Sequence, residues 1–176
     1  MRTPEILAPA GSEEALLAAL RCGADAVYVG GKLFSARQNA ANFDLPQLRR
    51  AVKLCHLYGA KLYLTVNTLI LEHEFPSLLQ FLQETIEIGV DAFLVQDLGV
   101  LQLIRQLSPD VPIHASTQMT IHTPEGARWA KQHGISRVVV SRELSRQEIA
   151  AICQTGVEVE VFVHGALCMS VSGQCG

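Results

Sequence analysis

Hydrophobic and polar positions alternate along this chain in two different rhythms that take turns. Stretches with an apolar residue every three or four positions predict helices. Stretches alternating every second position predict strands. One plan recurs: Gly23-Ala-Asp-Ala-Val-Tyr-Val-Gly30, Gly59-Ala-Lys-Leu-Tyr-Leu-Thr-Val66, Gly89-Val-Asp-Ala-Phe-Leu-Val95, Gly134-Ile-Ser-Arg-Val-Val-Val140 and Gly156-Val-Glu-Val-Glu-Val-Phe162. In each, a helix ends at a glycine suited to the left-handed position and a short aliphatic strand begins. Adding Glu5–Ala8 and Pro112–Ala115 gives about seven strands separated by helical patterns at roughly 25-residue spacing, which predicts a parallel sheet.

The helices expected between them are 13–22 with Ser12 as N-cap, 45–58 with Asp44 as cap and Pro46 in the first turn, Pro76–Ile88, Leu98–Leu107, Thr123–His133, and Ser145–Thr155, where Ser145 and Glu148 read as a capping box. Asp97 suits a substrate role or the cap of the fourth helix. A closed (β/α)8 barrel takes about 250 residues. The 176 residues here therefore predict a single, partial TIM-like α/β barrel over 1–176, lacking its last unit and cut within a cysteine motif. A doubly wound open sheet should carry a glycine-rich turn after its first strand, and Pro9-Ala-Gly-Ser12 lacks the second and third glycines.

Strand parity says which face is which. Leu62, Leu64 and Val66 oppose Tyr63, Thr65 and Asn67. Ile113 and Ala115 oppose His114, Ser116 and Gln118. Val157, Val159, Val161 and Val163 oppose Glu158, Glu160, Phe162 and His164. The aliphatic faces should meet the helices, and the polar faces should point into the barrel toward its C-terminal mouth. Asn67, His114, Ser116, Gln118, Glu160 and His164 are thus candidate pocket residues. His114, Glu160 and His164 are candidate acids or bases; a hydrogen-bonded buried pair is the plainer account of Glu160 and His164. Arg142 and Glu143 follow the sixth strand, as a structural ion pair or a substrate contact. Arg37, in the long 31–43 loop, offers a bidentate clamp for a carboxylate or phosphate.

Composition narrows the class. The chain is 49% hydrophobic and 18% charged, with a net charge of -3. No apolar run approaches a membrane span and no leader-like segment opens the chain, so a soluble cytoplasmic protein is expected, with no membrane partner. No cluster of Lys and Arg stands out, so strong electrostatic binding of nucleic acid is not legible. The five cysteines are scattered, unlike a secreted disulfide framework. Cys22, Cys55 and Cys153 lie in helical patterns and read as core fillers. Cys168 and Cys175 share one small-residue loop after the last strand. Two thiols there can form a disulfide, share a metal (zinc with His164 is one arrangement), or act as small hydrophobes; they supply half of a tetrahedral sulfur site.

The segment Glu160-x-Phe162-x-His164-Gly165-Ala166-Leu167-Cys168-x-x-x-Ser172-Gly173-x-Cys175 resembles the signature of peptidase family U32, the collagenase-like protease family. Gly23–Gly31, Phe34-Ser-Ala-Arg-Gln-Asn39, His114-Ala-Ser-Thr-Gln118 and Ser141-Arg-Glu-Leu144 match as well, so the resemblance covers essentially the whole chain. It is strongest to bacterial members that hydroxylate a base of rRNA or tRNA. It implies an oxygen-independent hydroxylase with a 4Fe-4S cluster on four cysteines, of which Cys168 and Cys175 would be two, and prephenate, a small dicarboxylate, as co-substrate. With the residue chemistry above, the expected roles are catalysis by Glu160, His164, His114 and Glu143, and substrate binding by Arg37, Asn67, Ser116, Gln118 and Arg142. A U32-type peptidase and a noncatalytic partner subunit are the other readings. Neither a His-Glu-x-x-His helix nor a Gly-x-Ser-x-Gly elbow is present to support peptidase chemistry. Open barrel edges would favour an oligomer.

Overall fold

The computed structural model describes residues 3–36, 42–165 and 169–174. Seven strands form one sheet in the order of the sequence: β1 (Leu7–Pro9), β2 (Ala26–Gly30), β3 (Lys61–Val66), β4 (Ala92–Val95), β5 (Ile113–Ala115), β6 (Arg137–Val139) and β7 (Glu158–Glu160). Every neighbouring pair is parallel. Helices α1 (Glu13–Arg21), α2 (Leu45–Leu57), α3 (Phe75–Ile88), α4 (Leu98–Leu107), α5 (Pro124–Gln132) and α6 (Arg146–Cys153) fill the intervals.

Local chemistry sets these boundaries. Ser12, Asp97, Thr123 and Ser145 each accept a backbone N–H at the start of their helix. Asp44 Oδ1 does so from the Gln47 N–H at 2.8 Å, while Gln47 Oε1 accepts from the Asp44 N–H at 2.9 Å. Each such cap stabilises by about 1 kcal/mol. The recurring glycines Gly23, Gly59, Gly89, Gly134 and Gly156 all lie at positive φ, between 72° and 90°. They turn the chain out of each helix and into the next strand at little steric cost.

The expected parity holds in β3 and β5, and β2, β4 and β6 follow the same rule. Val27, Val29, Leu62, Leu64, Val66, Phe93, Val95, Ile113, Ala115 and Val138 join the main core. There they meet Leu16, Leu48, Val52, Leu78, Leu82, Val100, Ile104, Ala127 and Ile152 from the helices. On the other face, Leu7, Ala26, Tyr28, Tyr63, Ala92, Leu94 and Val139 form a smaller inner cluster. A flat sheet would hold β1 and β6 roughly 24 Å apart at the usual strand spacing. Instead Arg137 of β6 touches Glu5, just before β1, at 2.7 Å. The sheet is therefore curled into an incomplete TIM-like barrel with a dry outer layer under the helices.

Two expectations need correction. The alternation of valines continues to Val163, but β7 stops at Glu160. Val161, Phe162 and His164 are exposed, and Val163 is 95% exposed, so neither face of 161–164 is buried as predicted. A strand needs a ladder partner, and β6 ends at Val139, with the last bond running from Val140 N–H to the Glu160 carbonyl. Cys55 is a core residue as expected, but Cys22 and Cys153 are exposed. Cys22 is the C-cap of α1 and Cys153 the last residue of α6, where the chain has left the buried face.

Candidate active site

The C-terminal ends of the strands hold a network of uncharged polar groups. Asn67, just past β3, is its hub. Its amide N–H donates to the Phe34 carbonyl at 3.0 Å. Its Oδ1 accepts from Ala36 N–H at 3.1 Å, and its Nδ2 donates to Ser116 Oγ at 3.1 Å. Ser116, past β5, also accepts from the Gln118 amide at 3.3 Å. Thr65 donates to the Val29 carbonyl at 3.2 Å and lies 3.0 Å from Ser35 Oγ, so Ser35 donates to Thr65. Asn67 thereby ties the loop after β2 to the end of β5 across the mouth. Asn67, Ser116 and Gln118 come together as expected; Ser35 and Thr65 join them without having been singled out as site residues.

Gly30 makes this closeness possible. A Cβ there would stand 2.6 Å from Asn42 Oδ1 and 2.7 Å from Ser35 Oγ. Gly30→Ala is therefore expected to cost about 1–3 kcal/mol through forced displacement of both polar side chains, read as a lowered denaturant midpoint. An unchanged midpoint would mean that the rim has slack.

A second contact set lies beyond β6. Glu143 Oε1 accepts from Ser172 N–H at 3.0 Å and from Ser172 Oγ at 3.2 Å. The Arg142 amide and Nε both point to Ser172 Oγ at 3.3 Å. The Arg142 guanidinium also sits 6.0 Å from the centre of the Phe162 ring, at the outer limit of a cation–π contact. Its own amide and the bonds from Ser172 lower the Glu143 pKa. Arg142 and Glu143 were expected as an ion pair or as substrate contacts. The structure brings both of them onto Ser172.

Deeper in the barrel lies a layer of charge that the sequence did not reveal. Arg137 donates to Glu5 at 2.7 Å and, through Nε and Nη2, to Glu158 at 3.1 and 2.9 Å. Tyr63 and Lys61 donate to Glu5 at 2.8 and 3.1 Å. Burial pushes Glu5 up, but the bonds from Arg137, Tyr63 and Lys61 outweigh it and hold its pKa at about 2. Glu160 lies 3.8 Å from Arg137, an ion pair too long to be a hydrogen bond, and its Oε2 is buried without a hydrogen-bond partner. Burial raises its pKa to about 7, and Arg137 only partly opposes this.

His114 packs edge-on against Tyr63, with ring centres 4.8 Å apart. Burial first, and Arg137 second, lower its pKa to about 3. It is thus a neutral ring near neutral pH. His114 pairs in register with Arg137, one inward position below Ser116. So of the four residues expected in the catalytic set, His114 and Glu160 belong to this inner layer, Glu143 holds Ser172, and His164 is exposed past β7. Arg37, Cys168 and Cys175 lie outside the described residues. Among the described residues, no group of three or more His, Cys, Asp or Glu side chains could hold a metal ion. Also among them, no helix is long and apolar enough to cross a membrane. A cavity of about 460 Å³ opens between Gly11–Glu14 and Asn42, Phe43 and Gln47, at the starts of α1 and α2. None of the expected site residues lines it, so the chemistry is better sought at the hydrogen-bonded mouth.

Comparison with known proteins places this architecture. The family model described as peptidase family U32 matches residues 11–176. The chain is 41% identical over 172 residues to the 23S rRNA 5-hydroxycytidine C2501 synthase of Escherichia coli, covering 97% of this chain and 26% of that protein. It is 35% identical over 175 residues to tRNA hydroxylation protein P1 of Bacillus subtilis, covering 99% and 42%. It is 33% identical to a collagenase of Porphyromonas gingivalis, covering 97% and 44%. The chain thus spans less than half the length of each of these relatives. Among solved structures, the U32 peptidase Mk0906 superposes with a TM-score of 0.71 at 18% identity, over 90% of this chain and 67% of that one. Orotidine 5'-monophosphate decarboxylase of Methanocaldococcus jannaschii gives 0.66 at 11% identity, over 91% and 78%. These two likenesses speak for the barrel alone. The match to the family model across nearly the whole chain, joined to relatives at 33–41% identity, means that this chain belongs to peptidase family U32.

Proposed function

We propose that this chain is the barrel portion of a cytoplasmic enzyme that hydroxylates a base in rRNA or tRNA. The observation that carries the reading is the 35–41% identity, over 97–99% of the chain, to proteins named for rRNA and tRNA hydroxylation. The mouth supports it. The partly exposed amides of Asn67 and Gln118, beside the buried hydroxyls of Ser35, Thr65 and Ser116, suit the hydrogen-bonding edge of a neutral base.

Cys168 and Cys175 would hold a 4Fe-4S cluster, with two further thiolates from elsewhere in the protein. The donor set fits such a group, since thiolates are its usual ligands and this loop supplies two of the four. When bound, the cluster supplies one-electron redox chemistry. Arg142, and Arg37 on its loop, would bind the carboxylates of prephenate, whose paired oxygens suit a guanidinium fork. His114, neutral and buried, and Glu160 would support the floor of the pocket from below.

The reading is tested by nucleoside mass mapping of rRNA and tRNA from a strain lacking the gene. One hydroxylated nucleoside should disappear and return with the full-length gene. An unchanged nucleoside profile overturns the RNA reading. The peptidase reading is favoured by the identity to the Porphyromonas gingivalis collagenase. Gelatin cleavage by the purified full-length protein, with RNA hydroxylation unaffected by the deletion, would establish it instead.

A further inference from the structure

Between the two cysteines of the terminal loop, one residue is pinned while its neighbours are not. Ser172 is 1% exposed, whereas Val171 is 56% exposed and Met169 is wholly so. A polar side chain buried among exposed apolar ones is held by its bonds, not by hydrophobic burial. Ser172 Oγ has one proton to give and two lone pairs to fill. The proton goes to Glu143 Oε1, and the lone pairs face the Arg142 amide and Nε. The Ser172 N–H is spent on the same Glu143 oxygen. Gly173 follows at φ 86°, where a Cβ would come within 2.5 Å of the Thr117 carbonyl oxygen and against Thr120. A bond from Gln174 N–H to the Val171 carbonyl closes the turn. The 171–174 turn is therefore seated between the loop after β5 and the loop after β6.

We propose that Glu143 is a positioning residue, which with Arg142 clasps the turn between Cys168 and Cys175 onto the loops after β5 and β6. Cys168 lies four positions before Ser172 and Cys175 three after it, so the anchored turn stands between them in sequence. In this role Glu143 does not exchange protons with substrate; its carboxylate sets where the thiols are offered. The inference rests on the proposed cluster only for what those thiols hold, not for the clasp itself.

The test uses the full-length protein, stripped of metal with a chelator, and measures alkylation of individual cysteines by mass spectrometry. Glu143→Ala and Ser172→Ala should speed alkylation of Cys168 and Cys175 about tenfold, the effect of losing charge-assisted bonds at a partly exposed site. Glu143→Gln keeps an acceptor for the Ser172 N–H and should stay within about twofold of the unaltered protein. Cys55, buried in α2, is the internal control and should not change. Rates unchanged in the alanine variants, Cys55 rising in step with the loop cysteines, or a glutamine variant as fast as the alanine variant would each overturn the clasp. Iron and sulfide are assayed in parallel before stripping. Their absence from the unaltered protein would remove the cluster reading, while the alkylation ratios would still decide the clasp.

Discussion

Arg137→Ala should lower stability by about 3–5 kcal/mol, the usual cost of removing one member of a buried ionic cluster. The Arg137 side chain is only 12% exposed and faces three carboxylates: Glu5, Glu158 and Glu160. Burial works against its charge, yet its bonds to Glu5 and Glu158 outweigh that and raise its pKa. Truncation leaves Glu5 with Tyr63 and Lys61 and leaves Glu160 without any cation nearby. The Glu158 arm, 61% exposed, contributes little to the loss. Since natural domains are stable by only about 5–15 kcal/mol, a loss of this size removes a large share of the total. Urea denaturation of the variant and the unaltered protein measures it. A difference under about 0.5 kcal/mol would mean that water reaches the cluster and takes over the arginine's role. The triple change Glu5→Gln, Arg137→Met, Glu160→Gln should recover most of the loss, because the charges it leaves unpaired, Lys61 and Glu158, are exposed to water.

The same arginine shows where sequence reading runs out. Its bond to Glu5 spans 132 positions. Nothing local marks either residue, and only curling of the sheet brings them together. The faces of Tyr63, Thr65, His114 and Ser116 were legible, because a period of two fixes which side of a strand a residue occupies. Their heights along the barrel were not. Height follows from register, and His114 opposite Arg137 belongs to the inner layer, while Ser116, one inward step further on, reaches the mouth. Capping at Ser12, Asp44, Asp97 and Ser145 was legible too, since each cap is settled within four residues; Thr123, read as the first residue of its helix, is its cap instead. The seventh strand was overread because alternation records a tendency, while a strand also needs a partner edge. The part played by Ser172 was hidden for the same reason as that of Arg137: its contacts are 29 and 30 residues away.

Glu160 carries the remaining large effect, and its sign runs opposite to that of most carboxylates. Its pKa in the folded chain rises from the ordinary 4.5 to about 7, chiefly through burial. Folding therefore favours the protonated form. That contribution is whole below about pH 4.5, where the unfolded chain is protonated as well, and it is lost as pH climbs through 7. At about 1.4 kcal/mol per pH unit, the penalty above pH 7 approaches roughly 3 kcal/mol. Glutamine mimics the protonated acid, so Glu160→Gln should match the unaltered protein near pH 4.5 and exceed it by about 2–3 kcal/mol at pH 8.5. Glu5 works in the other direction. Its depressed pKa gives stability that is present above pH 4.5 and lost as pH falls toward 2. Together the two place the cluster's best pH near 4.5, with stability falling on either side. Denaturant midpoints of both proteins across pH 4.5–8.5 decide the matter. Parallel profiles would show that Glu160 ionises freely inside the barrel, which would require solvent at an oxygen the fold buries without a hydrogen-bond partner.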